Sequence, residues 1–252
     1  MIDAWLNLPE AGIIGVLVLL YGTSAVLLAL QPTVMPWRRT VLSFTGVVAP
    51  YFTAVALMFG LSFGFLATEV AQRNRLAWQA VVSEGNALAT VNALAGENPT
   101  LTEAARSYAA AAIGEWPAMA RGGADPKAVA ALARLLSAAA DPVVSGQRGS
   151  AVQAAVLTAA SGRVAAARGD RLAIAADHTH SLKWLGVLCL GFLTQVGLLL
   201  VHLDKPRAMM AALSVFSIAM VVALGLVAMQ ELPFSGAIQV PPMLLAPPSA
   251  AG

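Results

Sequence analysis

Residues Ala11 to Leu30 form the first long apolar stretch of the chain, AGIIGVLVLLYGTSAVLLAL, and none of their side chains is charged. A helix needs about 20 apolar residues to cross the ~30 Å hydrocarbon core of a bilayer. Three further stretches meet this requirement, at residues 41–67, 182–203 and 208–230. An isolated strand would leave backbone groups unpaired in lipid, so all four are expected to be helices. The sequence therefore predicts an all-α membrane protein with four transmembrane helices.

The overall composition supports a membrane protein. Of the 252 residues, 58% are apolar and 11% are charged, whereas soluble domains are nearer half apolar and a quarter charged. The net charge is only +2, and the basic residues are scattered along the chain. This distribution predicts no nucleic-acid partner. The single cysteine, Cys189, excludes a disulfide within the chain and a cysteine-based metal site.

The segment between the second and third spans, residues 68–181, is predicted to be an all-helical insert. Apolar residues continue beyond the second span at helical spacing, and Gly96 is a candidate C-cap. Thr100 with Glu103 predicts a capping box for the next helix, which should run to about Trp116 and Pro117.

Two more features complete the predicted organisation. Asp125 followed by Pro126 is typical of a helix start, and a last helix of the insert should cover about residues 150–177. After the fourth span, residues 231–252 form a turn and a tail, which is expected to be mobile beyond Gln239.

Basic residues in the two short loops predict the orientation. Arg38 and Arg39 lie between the first two spans, and Lys205 and Arg207 lie between the last two. Both loops fall on one side of a four-span protein, and the excess of positive charge marks that side as cytoplasmic. The chain is therefore predicted in a bacterial inner membrane, with both termini and the insert extracytoplasmic.

The polar content of the spans argues against ion-coupled transport. No Asp, Glu, Lys or Arg lies near the middle of a span, where coupled transporters usually carry an ionisable group. Gln195 is the notable polar residue, because its amide needs several partners in lipid. Arg73 and Arg75 follow the second span and are candidates for attracting anions.

The second span carries two candidate features. A stripe of small residues, which would let another helix approach closely, consists of Ala56, Gly60 and Gly64. Aromatic residues on an adjoining face are Phe52, Phe59 and Phe63. Two interpretations remain open: the rings pack in the bundle, or they form a hydrophobic gate in an oligomer.

Motifs for metal binding and catalysis are not found in the sequence. His178 and His180 lie beside Asp177, but positions two apart fall on different faces of a helix and no further ligand is evident. Neither a phosphate-binding loop, a nucleophile elbow, HExxH nor CxxC occurs. The sequence predicts no metal, no cofactor and no enzymatic activity.

Four short motifs occur in a characteristic order: AVVSEGNAL at 80–88, EWPAM at 115–119, RGDRL at 168–172 and PFSG at 233–236. With two spans before the insert and two after it, the chain resembles the bestrophin-like membrane family of bacteria over nearly its whole length. The residues that carry the resemblance are Glu115, Trp116, Pro117, Arg168, Arg171, Pro233, Phe234, Ser235 and Gly236. The family typically ends its last span in Leu-Asp-Arg-Pro-Phe-Ser-Gly, whereas this chain has Glu231 and Leu232 in place of the Asp and the Arg.

The family is named for its similarity to bestrophins, which are pentameric anion channels with aromatic constrictions and a cytosolic soluble part. The resemblance implies, by analogy, a homo-oligomeric anion channel in the lipid bilayer. The alternative hypothesis is a non-catalytic scaffold or sensor whose insert binds an envelope protein. Glu231 is expected to cap the outer end of the fourth span, with Phe234 at the depth of the lipid headgroups.

Overall fold

The computed structural model describes residues 2–34, 49–96, 98–141 and 151–245, and within these ranges every regular element is helical. The helices differ widely in length, and α3 is the longest of those described. In chain order they are α1 (Ile2–Leu6), α2 (Glu10–Val34), α3 (Ala49–Ala95), α4 (Pro99–Ile113), α5 (Trp116–Met119), α6 (Pro126–Ala140), α7 (Ala151–Ala176), α8 (Ser181–Val201), α9 (Pro206–Met229) and a 3₁₀-helix (Pro242–Leu245).

Four of the described helices are long and apolar enough to cross a membrane: α2, α3, α8 and α9. They coincide with the four predicted spans, and α2, α8 and α9 begin and end within a few residues of the predicted bounds. The apolar candidate in α3, Phe52–Ala95, has 44 residues, about twice the length that a bilayer requires. The start of the predicted second span at Val41, and the loop with Arg38 and Arg39, lie outside the described residues.

Local signals predicted several helix ends correctly. The helix α3 ends at Ala95, and Gly96 follows it with φ 55°, a backbone conformation that favours glycine. Asp125 caps α6 as predicted, because its carboxylate accepts a hydrogen bond of 2.9 Å from the backbone N–H of Lys127.

The start and end of α4 differ from the prediction. The Thr100 capping box is wrong, since the side chain of Asn98 accepts hydrogen bonds from the N–H groups of Thr100 and Leu101 at 3.1 and 3.3 Å. Pro99 opens the helix two residues earlier than the capping box requires, so Thr100 already lies within the first turn. The helix ends at Ile113, and Trp116 begins the separate short helix α5.

The chain divides into two compact units, which are described separately. The first unit comprises Met1–Gln72 and Thr179–Leu232, and the second comprises Arg73–His178 and Pro233–Gly252. The predicted domain boundaries, 1–67, 68–181, 182–230 and 231–252, stay a prediction.

In the first unit, α2 and α9 pack along each other and α8 packs on both. Gly191 of α8 allows a close approach at this contact, because a Cβ atom there would collide with the ends of the Met220 and Tyr21 side chains unless they moved. The buried apolar side chains include Ile13, Leu17, Leu28, Trp184, Leu213 and Leu224.

In the second unit, one apolar core joins the later part of α3 to helices α4–α7 and to the end of the chain. The mobile tail predicted after Gln239 is wrong for Val240 to Leu245. Val240 and Leu245 are each 1% exposed, and the N–H of Val240 donates to the Pro233 carbonyl at 2.8 Å. The tail packs because its apolar residues complete this core. Residues 246–252 lie outside the described part of the chain.

Candidate functional site

A buried charge cluster lies at the centre of the second unit. The guanidinium of Arg171 donates to both oxygens of Glu84, at 2.7 and 3.1 Å, and to Glu115 at 3.0 Å. Arg168 donates to both oxygens of the same Glu115. Glu84, Glu115 and Arg171 are fully buried, and Arg168 is nearly so. Two carboxylates and two guanidinium groups balance, which satisfies the requirement that buried charges be paired.

Helical periodicity places these side chains in the core. Glu84 falls on the same face of α3 as the buried residues Ala77, Val81, Leu88 and Val91. On α7, Arg168 and Arg171 continue a buried face that includes Leu157 and Val164. Each charge is thus fixed in the interior by the apolar face on which it lies. The bidentate geometry between Arg171 and Glu84 adds directional strength to the packing of α3 and α7.

Tyr108 of α4 also belongs to this cluster, because its hydroxyl donates to Glu84. Burial raises the pKa of the Tyr108 hydroxyl above its ordinary value of 10.0, and the negative charge of Glu84 raises it further. Burial alone would lower the pKa of Arg171, but the hydrogen bonds and charges of Glu84 and the charge of Glu115 raise it overall. Tyr108 therefore stays protonated as a donor, and Arg171 stays charged.

The raised pKa of Tyr108 predicts a loss of stability in alkali. The folded pKa lies above the unfolded value of 10.0, so the contribution is complete below pH 10 and is lost as pH rises towards the folded pKa. In this pH range the free energy of unfolding should fall by about 1.4 kcal/mol per pH unit through this group. Tyr108→Phe should cost about 1 to 3 kcal/mol at neutral pH through the lost hydrogen bond, and this deficit should narrow above pH 10. Denaturant unfolding followed by tryptophan fluorescence gives the free energy of unfolding of the wild type and of the variant as a function of pH. Parallel curves for the two proteins would contradict the raised pKa of Tyr108.

Trp116 links the charge cluster to the end of the chain. Its ring centroid lies 4.9 Å from Cζ of Arg171, a cation–π distance. Its indole N–H donates to the Val240 carbonyl at 3.1 Å, and the ring meets Phe234 edge to face at 5.7 Å. Met119 is a further neighbour of Arg171, because its Sδ atom accepts a hydrogen bond from Nη1 of Arg171 at 2.7 Å. One residue of EWPAM therefore contacts both RGDRL and PFSG.

Two expectations about the PFSG region are corrected. Phe234 is 3% exposed in the core of the second unit and does not occupy a headgroup position, because Trp116 offers it a protein surface. Glu231 is fully buried, and its Oε1 atom accepts from the N–H of Thr179 at 2.8 Å. Thr179 lies two residues before the first residue of α8, and backbone N–H groups at a helix start favour a carboxylate. Glu231 therefore caps the approach to α8 rather than the end of α9.

The predicted gate rings lie on the packed side of α3 in the first unit. Phe59 stacks on Phe63 at 5.9 Å and meets Phe216 of α9 edge to face at 6.3 Å. Phe52 lies against Gly197 of α8. All three predicted gate rings are half-buried. Within a single chain the rings therefore contribute to helix packing, and their role as a gate in an oligomer stays a prediction.

The opposite side of this α3 segment is exposed and apolar. Leu57, Leu61 and Phe65 follow one another at intervals of four residues and are 61%, 55% and 74% exposed. Beside them, Gly60 and Gly64 would each accept a Cβ atom without any neighbour within 4 Å. These two glycines of the small-residue stripe are therefore open, and no helix of the same chain covers them in the described structure.

Gln195 has the partners that its amide requires. It donates to the Tyr21 carbonyl at 3.1 Å and to the Ser217 hydroxyl at 2.9 Å, and it accepts from the hydroxyl of Ser24. These groups come from α2, α8 and α9, so one buried amide joins three helices. In an apolar environment this network specifies how the helices are aligned.

The structure also places the candidate anion-attracting arginines and the candidate metal-binding histidines. Arg73 is buried and lies 3.7 Å from a carboxylate oxygen of Asp177, whereas Arg75 is exposed. Burial makes Arg73 a poor attractor of anions and leaves that role to Arg75 as a prediction. His180 caps α8, with its Nδ1 atom accepting from the N–H of Leu182 at 3.3 Å. The residues that the structure describes include no cluster of three potential metal ligands.

The sequence interpretation did not identify Tyr108, and it quoted Glu84 only as part of a motif. A signal for Glu84 was present, because a lone carboxylate interrupts the apolar stripe of α3. Tyr108 carries no comparable signal within its alanine-rich helix.

Comparison with known proteins places this geometry in a family. The fold is similar to that of a bacterial bestrophin homolog from Klebsiella pneumoniae, crystallised with a mutation, with a TM-score of 0.71 and 15% identity over 92% of this chain and 94% of that chain. A crystallised membrane protein is similar with a TM-score of 0.68 and 13% identity, again over 92% and 94%. No curated protein matches the sequence. The model of the bestrophin-like domain matches residues 18–244, and the chain is therefore a membrane protein of the bestrophin-like family.

Proposed function

We propose that the chain is one subunit of an oligomeric anion channel. The narrow part of its pore, the neck, would be lined by residues 49–72 of α3, the part of this helix that belongs to the first unit. The observation that carries the proposal is the open part of the small-residue stripe of α3, Gly60 and Gly64, beside an exposed apolar face; half-buried Ala56 begins the stripe. Known members of the bestrophin-like family are anion channels, which supports this function.

The stripe and the apolar face would have separate roles in an oligomer. Glycines let the helix of a neighbouring subunit approach closely. A neighbour packed on Gly60 and Gly64 would leave the adjoining face with Leu57, Leu61 and Phe65 turned to the axis. A ring of such side chains forms a hydrophobic constriction that gates by dewetting.

Phe52, Phe59 and Phe63 are the alternative constriction. They remain candidates if subunit assembly rotates α3, but the contacts of Phe59 with Phe63 and Phe216 favour a supporting role behind the leucines. Arg75 is the exposed cation that would attract anions.

The decisive experiment joins stoichiometry with ion flux. Native mass spectrometry of the protein in nanodiscs should give a closed ring of four or more copies. In chloride-loaded liposomes, Leu57→Thr with Leu61→Thr should raise flux several-fold, because hydroxyl groups keep a narrow neck wet.

Two further variants make the flux result specific. Ile218→Thr, at a 65% exposed position of α9, should leave flux unchanged. Phe59→Ala tests the aromatic alternative. An increase in chloride flux that occurs only in this variant would mean that the rings, and not the leucines, form the constriction. A monomer or dimer that conducts no ions would reject the channel and favour a scaffold or sensor with an envelope partner.

We also propose the four-span topology with the second unit extracytoplasmic, from the charges of the short loops. Introducing Gly123→Cys into a Cys189→Ser background makes this testable, since Gly123 lies in an exposed turn. Labelling in intact cells by an impermeant thiol reagent would support this orientation, and protection until lysis would reverse it. No catalytic role is proposed.

A further inference from the structure

A cleft of about 470 Å³ lies in the second unit between α3 and α7. Its size falls within the range of small-molecule sites. The polar and aromatic residues that line it are Trp78, Gln79, Ser83, Asn86, Thr90 and Arg163. None of them belongs to the charge cluster or to the proposed neck.

The charge of the cleft favours an anion. Arg163 is a cation, and no carboxylate occurs among the described residues that line the cleft. A second cleft, between α4 and α6, provides a contrast, because there Arg134 is accompanied by Glu103 and Asp141. The second cleft thus carries no net positive charge.

The uncharged groups favour a planar organic anion. The side-chain amides of Gln79 and Asn86 offer N–H donors beside the five donors of Arg163. The Thr90 hydroxyl is already directed to the backbone carbonyl of Asn86, at 2.9 Å, and supplies no further donor. Trp78 is 44% exposed, so its indole has surface available for a flat ligand.

We propose that this cleft binds a small planar carboxylate, with Arg163 holding the carboxylate and Trp78 packing against the body of the ligand. A guanidinium matches the two carboxylate oxygens with parallel hydrogen bonds. The volume exceeds that of a bare inorganic ion, which leaves room for the organic part. Binding at this cleft does not require that the protein conduct ions, so the two can be tested separately.

Benzoate and benzamide form a matched pair of probes, because they share a shape and differ in charge. The full-length protein in nanodiscs is titrated with each probe in sodium chloride at constant ionic strength, with tryptophan fluorescence as the readout. Benzoate should give a saturable change that is absent in Trp78→Phe. Benzamide should give none.

Arg163→Gln should weaken benzoate binding about tenfold or more, since a hydrogen bond to a charged group is lost. Arg134→Gln, at the exposed arginine of the second cleft, is the control and should bind as the wild type does. Both positions are exposed, and an unchanged melting temperature verifies folding. A linear response to benzoate, equal binding of benzamide, or unchanged affinity in Arg163→Gln would each overturn the proposal. Chloride flux through the neck is measured separately and does not depend on the outcome.

Discussion

Replacing Arg171 with methionine will lower the local stability of the second unit by about 3 to 5 kcal/mol, the usual cost of breaking a buried ion pair. Methionine keeps the apolar length of the side chain but removes every donor to Glu84 and Glu115. Glu115 then keeps the guanidinium of Arg168, whereas Glu84 keeps the Tyr108 hydroxyl but loses the guanidinium that donates to it. Uncompensated negative charge in the core is the physical cause of the loss.

Hydrogen exchange of the amides in α3 and α7 measures this loss as a free energy of opening. Arg106→Met, at an exposed position of α4, is the matched control and should change exchange little. Adding Glu84→Gln to Arg171→Met should recover part of the stability, because the two positions interact directly. Equal protection in the Arg171 and Arg106 variants would show that the cluster contributes no net stability.

Trp116→Ala should destabilise the same unit by about 3 to 5 kcal/mol, as expected for removing a buried aromatic side chain. The variant loses the edge-to-face contact with Phe234, the hydrogen bond to the Val240 carbonyl and the cation–π contact with Arg171. The segment from Phe234 to Leu245 should therefore detach before the rest of the unit unfolds.

Protection of the Val240 amide, which bonds to Pro233, reports this detachment. Trp116→Phe keeps an aromatic ring but removes the indole N–H donor. It should cost about 1 kcal/mol through the lost hydrogen bond, plus a small packing loss. Trp78→Ala removes an indole from an exposed position of the same unit and should leave the segment protected. Undiminished protection of Val240 in Trp116→Ala would show that the segment is held by other contacts.

Features set by neighbouring residues could be predicted from the sequence. The apolar stretches gave the span helices because length and hydropathy decide them, and Asp125 with Pro126 gave the start of α6 because the cap is formed within three residues. The Thr100 cap failed within the same local range, since Asn98 caps the helix two residues earlier.

Features set by distant residues could not be predicted. From its position after the second span, Arg73 was expected to be exposed, but the fold buries it and brings Asp177 near it. The face of α3 that packs was equally hidden, because Phe59 and Leu57 are both apolar and only Phe216 distinguishes their surroundings. Family motifs marked Glu115 and Arg171 as important, but their physical role depends on Glu84 and Tyr108 from two other helices.

The hydrogen bond between Trp116 and Val240 also constrains the order of folding during synthesis. These residues are 124 positions apart, so a ribosome needs roughly 6 to 25 seconds to reach Val240 after Trp116. During that interval α8 and α9 are made, while the apolar surface that will receive Phe234 has no occupant. The nascent second unit therefore exposes this apolar surface until residues 234–245 have been made, and truncations shortly before Pro233 should be degraded rather than accumulate.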